Sequence, residues 1–162
     1  KSNAYRLKFK DADAAERARN TLGNDADVAS VDSNYWFNQR PDAEGLGDLQ
    51  AAAFTLQPKL GADGGNLTIA LIDSAFFPTG TGADQFVNKS INVTDTQAAN
   101  DGSPTHGTSM AETILKAMQA MSSDGSSSVR IQPYDVYGSS ERTTSWDVAN
   151  AINQAKIGRA HV

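Results

Sequence analysis

The feature that most constrains the fold is an apolar run, Leu67-Thr68-Ile69-Ala70-Leu71-Ile72, which ends at Asp73. Both alternating faces of this run are apolar, as in the central strand of a parallel sheet that is covered on both sides. Parallel strands need long crossover connections, which are usually helices. The run therefore predicts an α/β fold. It places Asp73 at the carboxyl edge of the sheet, where ligands and catalytic groups of open α/β sheets collect.

The residues around this run predict alternating strands and helices. We expect a short helix over residues 49–56 and a strand over 86–93, then an amphipathic helix over 106–121 and a strand over 129–136. Pro133 predicts that the last of these strands bends, because proline lacks a ladder N–H. A capping box at residues 144–147 begins another helix, whose predicted apolar face carries Val148, Ala149, Ile152 and Ala155. The order predicts a partial parallel sheet with packed helices.

The first 37 residues have a separate pattern. Residues 4–10 alternate between apolar and basic side chains, which predicts a half-buried strand. Asp11 or Asp13 can cap a helix with a stripe of Ala14, Ala15, Ala18 and Leu22, and Gly23 ends it. A second strand is predicted over residues 28–37. Together these elements predict a small α+β segment, followed by a linker rich in glycine and acids over residues 38–48.

Composition excludes several classes of function. The net charge of −5 and the pI near 4.9 argue against a nucleic-acid partner and against an anionic membrane surface. The chain contains no cysteine, which excludes disulfides and thiol catalysis. No apolar run approaches the roughly 18 residues that span a bilayer. No signal peptide is visible, and because the chain starts at Lys1 we expect the natural N-terminus to lie upstream.

Asp73 and His106 are the candidate catalytic residues. Taken singly, Asp73 is explained as a turn residue after a strand, and His106 as the first residue of a helix. Taken together, a carboxylate at a strand end and an imidazole 33 positions later can converge on one edge of the sheet. A carboxylate fixes the tautomer of an imidazole, which then accepts a proton from a hydroxyl nucleophile.

At these residues the chain resembles the subtilisin-like serine proteases. Residues 69–74 resemble the aspartate motif of that family, and His106-Gly-Thr-Ser-Met-Ala111 resembles its histidine motif. Residues 129–152 resemble the strand and helix that follow. The resemblance implies a truncated subtilisin-like three-layer fold and a serine-type endopeptidase with a Ser-His-Asp triad, acting on polypeptides. It also implies a secreted or periplasmic location.

No cofactor is implied for the chemistry, and no residue is assigned to a cofactor or a metal. The family often carries structural calcium, which the parent protein can also be expected to use. Asp84, Asp95 and Asp101 lie in predicted loops and could contribute ligands, although solvated loop carboxylates are the simpler interpretation.

The resemblance also divides the chain. Residues 1–41 are similar to the C-terminal half of the family's propeptide, an intramolecular chaperone and inhibitor. Residues 42–48 are the linker, and autoprocessing is expected within residues 38–48. Residues 49–156 correspond to the N-terminal part of the catalytic domain. Residues 157–162 match the translation of a common sequencing adapter, so we expect them to be non-native.

Ser109 offers a competing assignment, because Gly107–Ala111 also resembles the serine motif of the family. The proline that normally follows that motif is missing, and Ser109 lies on the same predicted helix as His106. We therefore expect the nucleophilic serine to lie downstream and this chain alone to be inactive. The alternative is a non-catalytic homologue that acts as a binding or scaffold module. A nucleotide-binding domain is disfavoured, because no glycine-rich phosphate loop follows the apolar run.

Two positions depart from the family pattern. Ala75 stands where a glycine usually follows the aspartate at the second position, and Glu112 stands where a glycine usually follows the histidine motif. Glycine permits a sharp turn, so the backbone after Asp73 is expected to differ.

Overall fold

The computed structural model describes residues 3–38, 54–61 and 66–157. The chain divides into two compact units, Lys1–Tyr35 and Trp36–Val162. The predicted linker over 42–48 lies outside the described residues, and so does the predicted tail over 157–162 apart from Ile157, which is the last residue of a helix. The predicted domain boundaries therefore stay predictions.

The first unit contains one helix, α1 (Ala12–Gly23), among its described residues. The Asp11 carboxylate accepts a hydrogen bond from the Ala14 N–H at 2.7 Å, which confirms the predicted cap. The predicted strand over residues 4–10 is wrong: this segment pairs with no strand among the described residues, and Tyr5 is 78% exposed. Alternation predicts an extended chain, but a strand also needs a neighbour with which to form hydrogen bonds.

The second unit contains seven strands and two long helices within its described residues. The strands are β1 (Trp36–Phe37), β2 (Gln57–Pro58), β3 (Leu67–Asp73), β4 (Ile91–Asn92), β5 (Ser126–Ser127), β6 (Val129–Asp135) and β7 (Thr143–Thr144). The helices are α2 (His106–Met121) and α3 (Ser145–Ile157). A parallel sheet has the order β3-β6-β4, and β2 pairs with β5 in a second parallel sheet. β1 pairs antiparallel with β7. The predicted α/β architecture, a parallel sheet with packed helices, is confirmed.

The central strand of the main sheet is β6, and not the apolar run β3 as predicted. Among the described residues β3 pairs only with β6, from Leu67 opposite Val129 to Asp73 opposite Asp135. Ile131 in β6 is fully buried, whereas Leu67 at the start of β3 is 64% exposed. An apolar run specifies that both faces of a strand are covered. It does not specify how many strands lie beside it.

Pro133, where the sequence predicts a disturbance of the strand, does not interrupt the pairing of β6 with β3. The strand runs through Pro133, which stays in register with Leu71 of β3. The carbonyls of Ile131 and Asp135 point towards the β4 side, where they accept from the N–H groups of residues 88 and 93. Pro133 shares that orientation, because successive residues of a strand alternate in direction. Its missing N–H therefore faces a gap in the short β4 ladder and leaves the β3 ladder intact.

Three other predicted elements differ from the structure. The strand predicted over 86–93 is reduced to β4, preceded by a short 3₁₀ helix, Gly82–Phe86, and an isolated bridge from Val87 to Ile131. The strand predicted over 28–37 is reduced to β1. The helix predicted over 49–56 falls largely outside the described residues, and its last three residues, 54–56, are not helical. For the two strands, local hydrophobicity indicates burial, but pairing with a neighbour decides the secondary structure.

Both long helices form where the sequence predicts them. α2 begins after Thr105, whose hydroxyl accepts the Thr108 N–H as an N-cap. It buries Ala111 and Leu115 against a core built around Phe86, Ile131, Leu56 and Phe76. α3 begins with the predicted capping box, in which Thr144 Oγ1 accepts from the Asp147 N–H and donates to its carboxylate. Of the predicted apolar face, Val148 and Ala155 pack inward, Ala149 and Ile152 are exposed, and Ala151 is the residue fully buried.

An ion pair between Lys59 and Asp124 joins the segment around β2 to the loop after α2. Lys59 Nζ lies 2.7 Å from Asp124 Oδ2, and the hydroxyl and N–H of Ser126 also bind this carboxylate. The lysine ammonium, followed by the Ser126 hydrogen bonds, holds the pKa of Asp124 well below its usual range. The folded state therefore favours the ionised form.

We expect this contact to weaken as the solution is acidified. A depressed pKa gives stabilisation that is present above the ordinary aspartate value, about 3.9, and lost as pH falls towards the folded pKa. A carboxyl-carbon NMR titration should place the Asp124 midpoint below that of a model peptide. Lys59→Gln should move the midpoint upward, and an unchanged midpoint in Lys59→Gln would contradict the assignment. High salt should reduce the effect, because the pair is exposed.

Candidate active site

The carboxyl end of β3 and the first turn of α2 bring Asp73 and His106 together. His106 Nδ1 lies 2.8 Å from Asp73 Oδ1 and 2.8 Å from Asp73 Oδ2. Asp73 is the last residue of β3, and His106 is the first residue of α2. The structure thus unites the two predicted site residues from positions 33 apart, at the predicted edge of the sheet.

The geometry selects one protonation pattern for the imidazole. Because Nδ1 faces both carboxylate oxygens, it carries the proton and donates it to Asp73, and Nε2 is left as the acceptor. The side chains are 24% exposed for His106 and 13% exposed for Asp73. The pair is therefore shielded enough for a strong charge-assisted contact, while the imidazole stays accessible. An oriented imidazole with a free Nε2 can act as a general base.

Two threonine hydroxyls fasten the start of α2 to the chain that follows β3. Thr105 Oγ1 donates to the Ala75 carbonyl and accepts the Thr108 N–H at 3.1 Å. Thr108 Oγ1 accepts the Phe77 N–H at 3.0 Å. Thr108 is 1% exposed, so these contacts are hidden from water. They fix where the start of α2 lies relative to the end of β3. The sequence motifs did not identify these two threonines as contacts, although the rule for N-cap residues alone identifies Thr105.

Ser74 and Gly107 form a second contact between β3 and α2. The Gly107 N–H donates to Ser74 Oγ at 2.9 Å, and Ser74 Oγ lies 3.3 Å from Asp73 Oδ1. The Ser74 N–H also donates to Asp73 Oδ1, at 2.7 Å. The Gly107 Cα packs so closely that a Cβ there would lie 2.1 Å from the Ser74 carbonyl oxygen. Residue 107 must therefore be glycine for this approach.

The two departures from the family pattern have structural explanations. Ala75 is 5% exposed and does not have a positive φ, so the turn after Asp73 does not need glycine in this chain. Glu112 accepts a hydrogen bond from the Thr79 hydroxyl at 3.0 Å, which ties α2 to the loop before the 3₁₀ helix. Neither side chain contacts Asp73 or His106 through a hydrogen bond in the described part of the chain.

A cleft of about 540 Å³ opens beside Asp73. Its walls are mainly apolar, and they come from β1, the ends of β3 and β6, β7 and α3: Phe37, Ile72, Asp73, Val136, Tyr137, Thr143 and Val148. The neighbouring carboxylate of Asp135 does not enter it, because Asp135 accepts the N–H groups of Tyr137 and Gly138 at 3.0 and 2.9 Å. Among the described residues that line the cleft, the walls are mainly apolar and Asp73 supplies the one carboxylate, an arrangement typical of ligand sites.

The model of one protein family matches residues 23–162, and its description is "Subtilase family". This match spans 140 of the 162 residues (162 − 23 + 1) and includes β3, α2 and both members of the Asp73–His106 pair. The chain belongs to the subtilase family. A search of curated proteins gives no match, and neither does a search of solved structures. The family consists of serine peptidases, which act on polypeptides, and its fold agrees with the α/β architecture described above.

In this subtilase Ser109 lies on α2, one turn after His106. Its N–H donates to the Thr105 carbonyl and its carbonyl accepts the Thr113 hydroxyl, as in a regular helix. Within the described residues no hydrogen bond joins Ser109 to His106. Ser109 therefore belongs to the regular hydrogen bonding of α2, three residues after the histidine.

The loop acids considered for calcium have other partners in this subtilase. The Asp84 carboxylate accepts the N–H groups of Thr79 and Gly80, and the Asp101 carboxylate accepts that of Ser103. Among the described residues no group of three or more acidic, histidine or cysteine side chains is placed to hold a metal. The calcium expectation stays a prediction. Over the same residues, no helix has the length and apolar character needed to cross a membrane.

Proposed function

We propose that this chain contributes the aspartate and histidine of a serine endopeptidase. The observation that carries the proposal is the contact of His106 Nδ1 with both oxygens of Asp73. In this mechanism Asp73 orients His106 and stabilises the imidazolium. His106 takes the proton of a serine hydroxyl through Nε2 and later gives it to the leaving amine. The serine oxygen forms an acyl-enzyme that water then hydrolyses.

We further propose that the nucleophilic serine lies outside these 162 residues, so that the chain alone does not hydrolyse peptides. The placement of Ser109 on α2 supports this, because its backbone N–H and carbonyl take part in regular helical contacts and, within the described residues, no hydrogen bond joins it to His106. Because subtilases are usually secreted, we propose an extracytoplasmic site of action, either secreted or periplasmic.

The pairing of β1 with β7 supports a polypeptide substrate and an inhibitory role for the N-terminal segment. Trp36 lies opposite Thr144 and Phe37 opposite Thr143 in an antiparallel ladder, and Phe37 lines the cleft beside Asp73. An extended substrate can add to the same β7 edge, since main-chain hydrogen bonds are independent of sequence. We propose that residues 36–37 occupy this edge as an intramolecular inhibitor. Peptidase activity should therefore appear only after cleavage in the 38–48 linker, and activity of the uncleaved precursor would oppose the idea.

The test uses a fluorophosphonate probe, which labels activated serines. We expect the protein expressed from the complete coding sequence, once it has been cleaved in the 38–48 linker, to cleave an unstructured peptide and to take up the probe at one serine. The 162-residue chain should take up none, and Ser109→Ala should change neither result. His106→Ala should abolish both peptide cleavage and probe uptake.

Two outcomes would contradict the proposal. Labelling of Ser109 in the native chain would make α2 the site of the nucleophile. A folded full-length protein that has been cut in the 38–48 linker, and still neither cleaves peptide nor takes up the probe, would favour the alternative, a non-catalytic subtilase that acts as a binding or scaffold module.

A further inference from the structure

The Ser74 side chain lies between the two halves of the Asp73–His106 pair. It is 3% exposed, and its hydroxyl accepts the Gly107 N–H at 2.9 Å while lying 3.3 Å from Asp73 Oδ1. A hydroxyl has a single proton. Because the Gly107 N–H is already a donor, the hydroxyl proton is available for the carboxylate. One buried side chain thereby connects Asp73 to the residue that follows His106.

The backbone of Ser74 strengthens the same connection. Its N–H donates to Asp73 Oδ1 at 2.7 Å, and its carbonyl oxygen packs against the Gly107 Cα. Thr105 and Thr108 also hold α2, but their hydroxyls bind the chain at residues 75–77 and not the carboxylate. Among the described residues, Ser74 is the residue whose hydroxyl contacts both Asp73 and the first turn of α2.

We propose that Ser74 is a positioning residue for the peptidase reaction, whose hydroxyl fixes the orientation of the Asp73 carboxylate relative to the His106 imidazole. The proposal rests on the function proposed above for Asp73 and His106. Ser74 acts through these two residues and not on the substrate. Without the hydroxyl, the carboxylate loses one donor and the buried Gly107 N–H loses its acceptor, so the contact between strand end and helix start loosens.

The experiment observes the imidazole of His106 directly, in the full 162-residue chain. His161→Gln, in the tail outside the described residues, leaves His106 as the single histidine. Nitrogen NMR reports the tautomer, and the Nδ1 proton reports its exchange with water. Ser74→Ala removes the hydroxyl, and Ser74→Cys keeps a side chain of similar shape with a much weaker donor. Ser90→Ala is the matched control, because Ser90 Oγ binds the N–H and carbonyl of Phe76 and does not touch Asp73.

We expect the parent chain to show the Nδ1–H tautomer with a protected proton. Ser74→Ala and Ser74→Cys should speed exchange of this proton by about tenfold, the factor for one lost hydrogen bond to a charged group, and should introduce the second tautomer. Ser74→Thr, which keeps a hydroxyl, should restore the slow exchange. Ser90→Ala should leave both signals unchanged.

Several results would overturn the proposal. Folded Ser74 variants with the parental signal would show that the hydroxyl does not position the pair. A change of equal size in Ser90→Ala would show a general loosening of the loop. Unfolding of both Ser74→Ala and Ser74→Cys, with Ser90→Ala folded, would show a purely structural role. Failure of the underlying function is distinguishable, because the full-length protein cleaved in its linker would then take up no fluorophosphonate probe, while the His106 signals of the 162-residue chain would still respond to Ser74→Ala and Ser74→Cys.

Discussion

In the proposed peptidase, after cleavage of the 38–48 linker, Asp73→Asn should lower kcat by about 10⁴-fold with little change in KM. An asparagine carboxamide can present its NH₂ group to Nδ1 of His106, which stabilises the tautomer with the proton on Nε2. That tautomer has no acceptor for a serine proton. The expected loss of kcat is large because both carboxylate oxygens lie 2.8 Å from Nδ1 of His106. The substitution replaces one of these acceptors with a donor. Steady-state kinetics on an unstructured peptide measure the effect.

Asp135→Asn is the matched control for this prediction. Asp135 lies opposite Asp73 in the β3–β6 ladder and is 2% exposed, but its Oδ1 accepts only backbone N–H groups of its own loop. Asparagine retains an oxygen at that position, so kcat should stay within a few-fold of the parental value. A drop of similar size in both variants would show that Asp73 matters for folding and not for the tautomer. If Asp73→Asn kept the parental activity, Asp73 could not be the residue that orients His106.

Gly107→Ala should destabilise the folded chain by about 3 kcal/mol or more, at the upper end of overpacking effects. The added methyl carbon would lie 2.1 Å from the Ser74 carbonyl oxygen and 3.0 Å from its carbonyl carbon. Both are backbone atoms next to Asp73, so they cannot move aside as the end of a flexible side chain could. Relief requires α2 to shift away from β3, which also separates His106 from its carboxylate. Urea unfolding followed by circular dichroism measures the loss.

Gly23→Ala provides the comparison. Gly23 ends α1, and a Cβ there would meet no atom within 4 Å. Alanine is the better helix former by roughly 0.5–1 kcal/mol, so this variant should be neutral or slightly more stable. Equal unfolding midpoints for the two variants would mean that the close approach of Gly107 to Ser74 is not formed in solution.

The sequence predicts the contact between Asp73 and His106 better than it predicts the strands. Asp73 and His106 were predictable because each lies at the junction of a strongly patterned element, the apolar run β3 and the amphipathic helix α2. The N-cap of α3 at Thr144 was equally clear from its capping box. The apolar run, the amphipathic pattern and the capping box are local signals, because the residues that form each of them are close in sequence.

The missed features depend on partners that are distant in sequence. The alternation at residues 4–10 indicates an extended chain, but nothing in those residues shows whether a second strand lies beside them. Pro133 predicted a bend because the sequence does not show which neighbouring strand its missing N–H would face. The role of Ser74 was missed because its hydroxyl accepts the Gly107 N–H, a contact with α2 that the sequence does not show. Tertiary pairing decided each of these cases.

The register between β3 and β6 has a consequence for how the chain folds as it is synthesised. Leu67 pairs with Val129, 62 positions later, so the apolar strand leaves the ribosome long before its neighbour exists. At about 5–20 residues per second, this interval lasts several seconds. During that time α2 is the only long described element after β3 that can cover it, through the contacts at Ser74 and Gly107. Because Gly107 lets α2 approach the end of β3 closely, the same glycine that holds His106 beside Asp73 would also let the helix cover this strand before β6 is made.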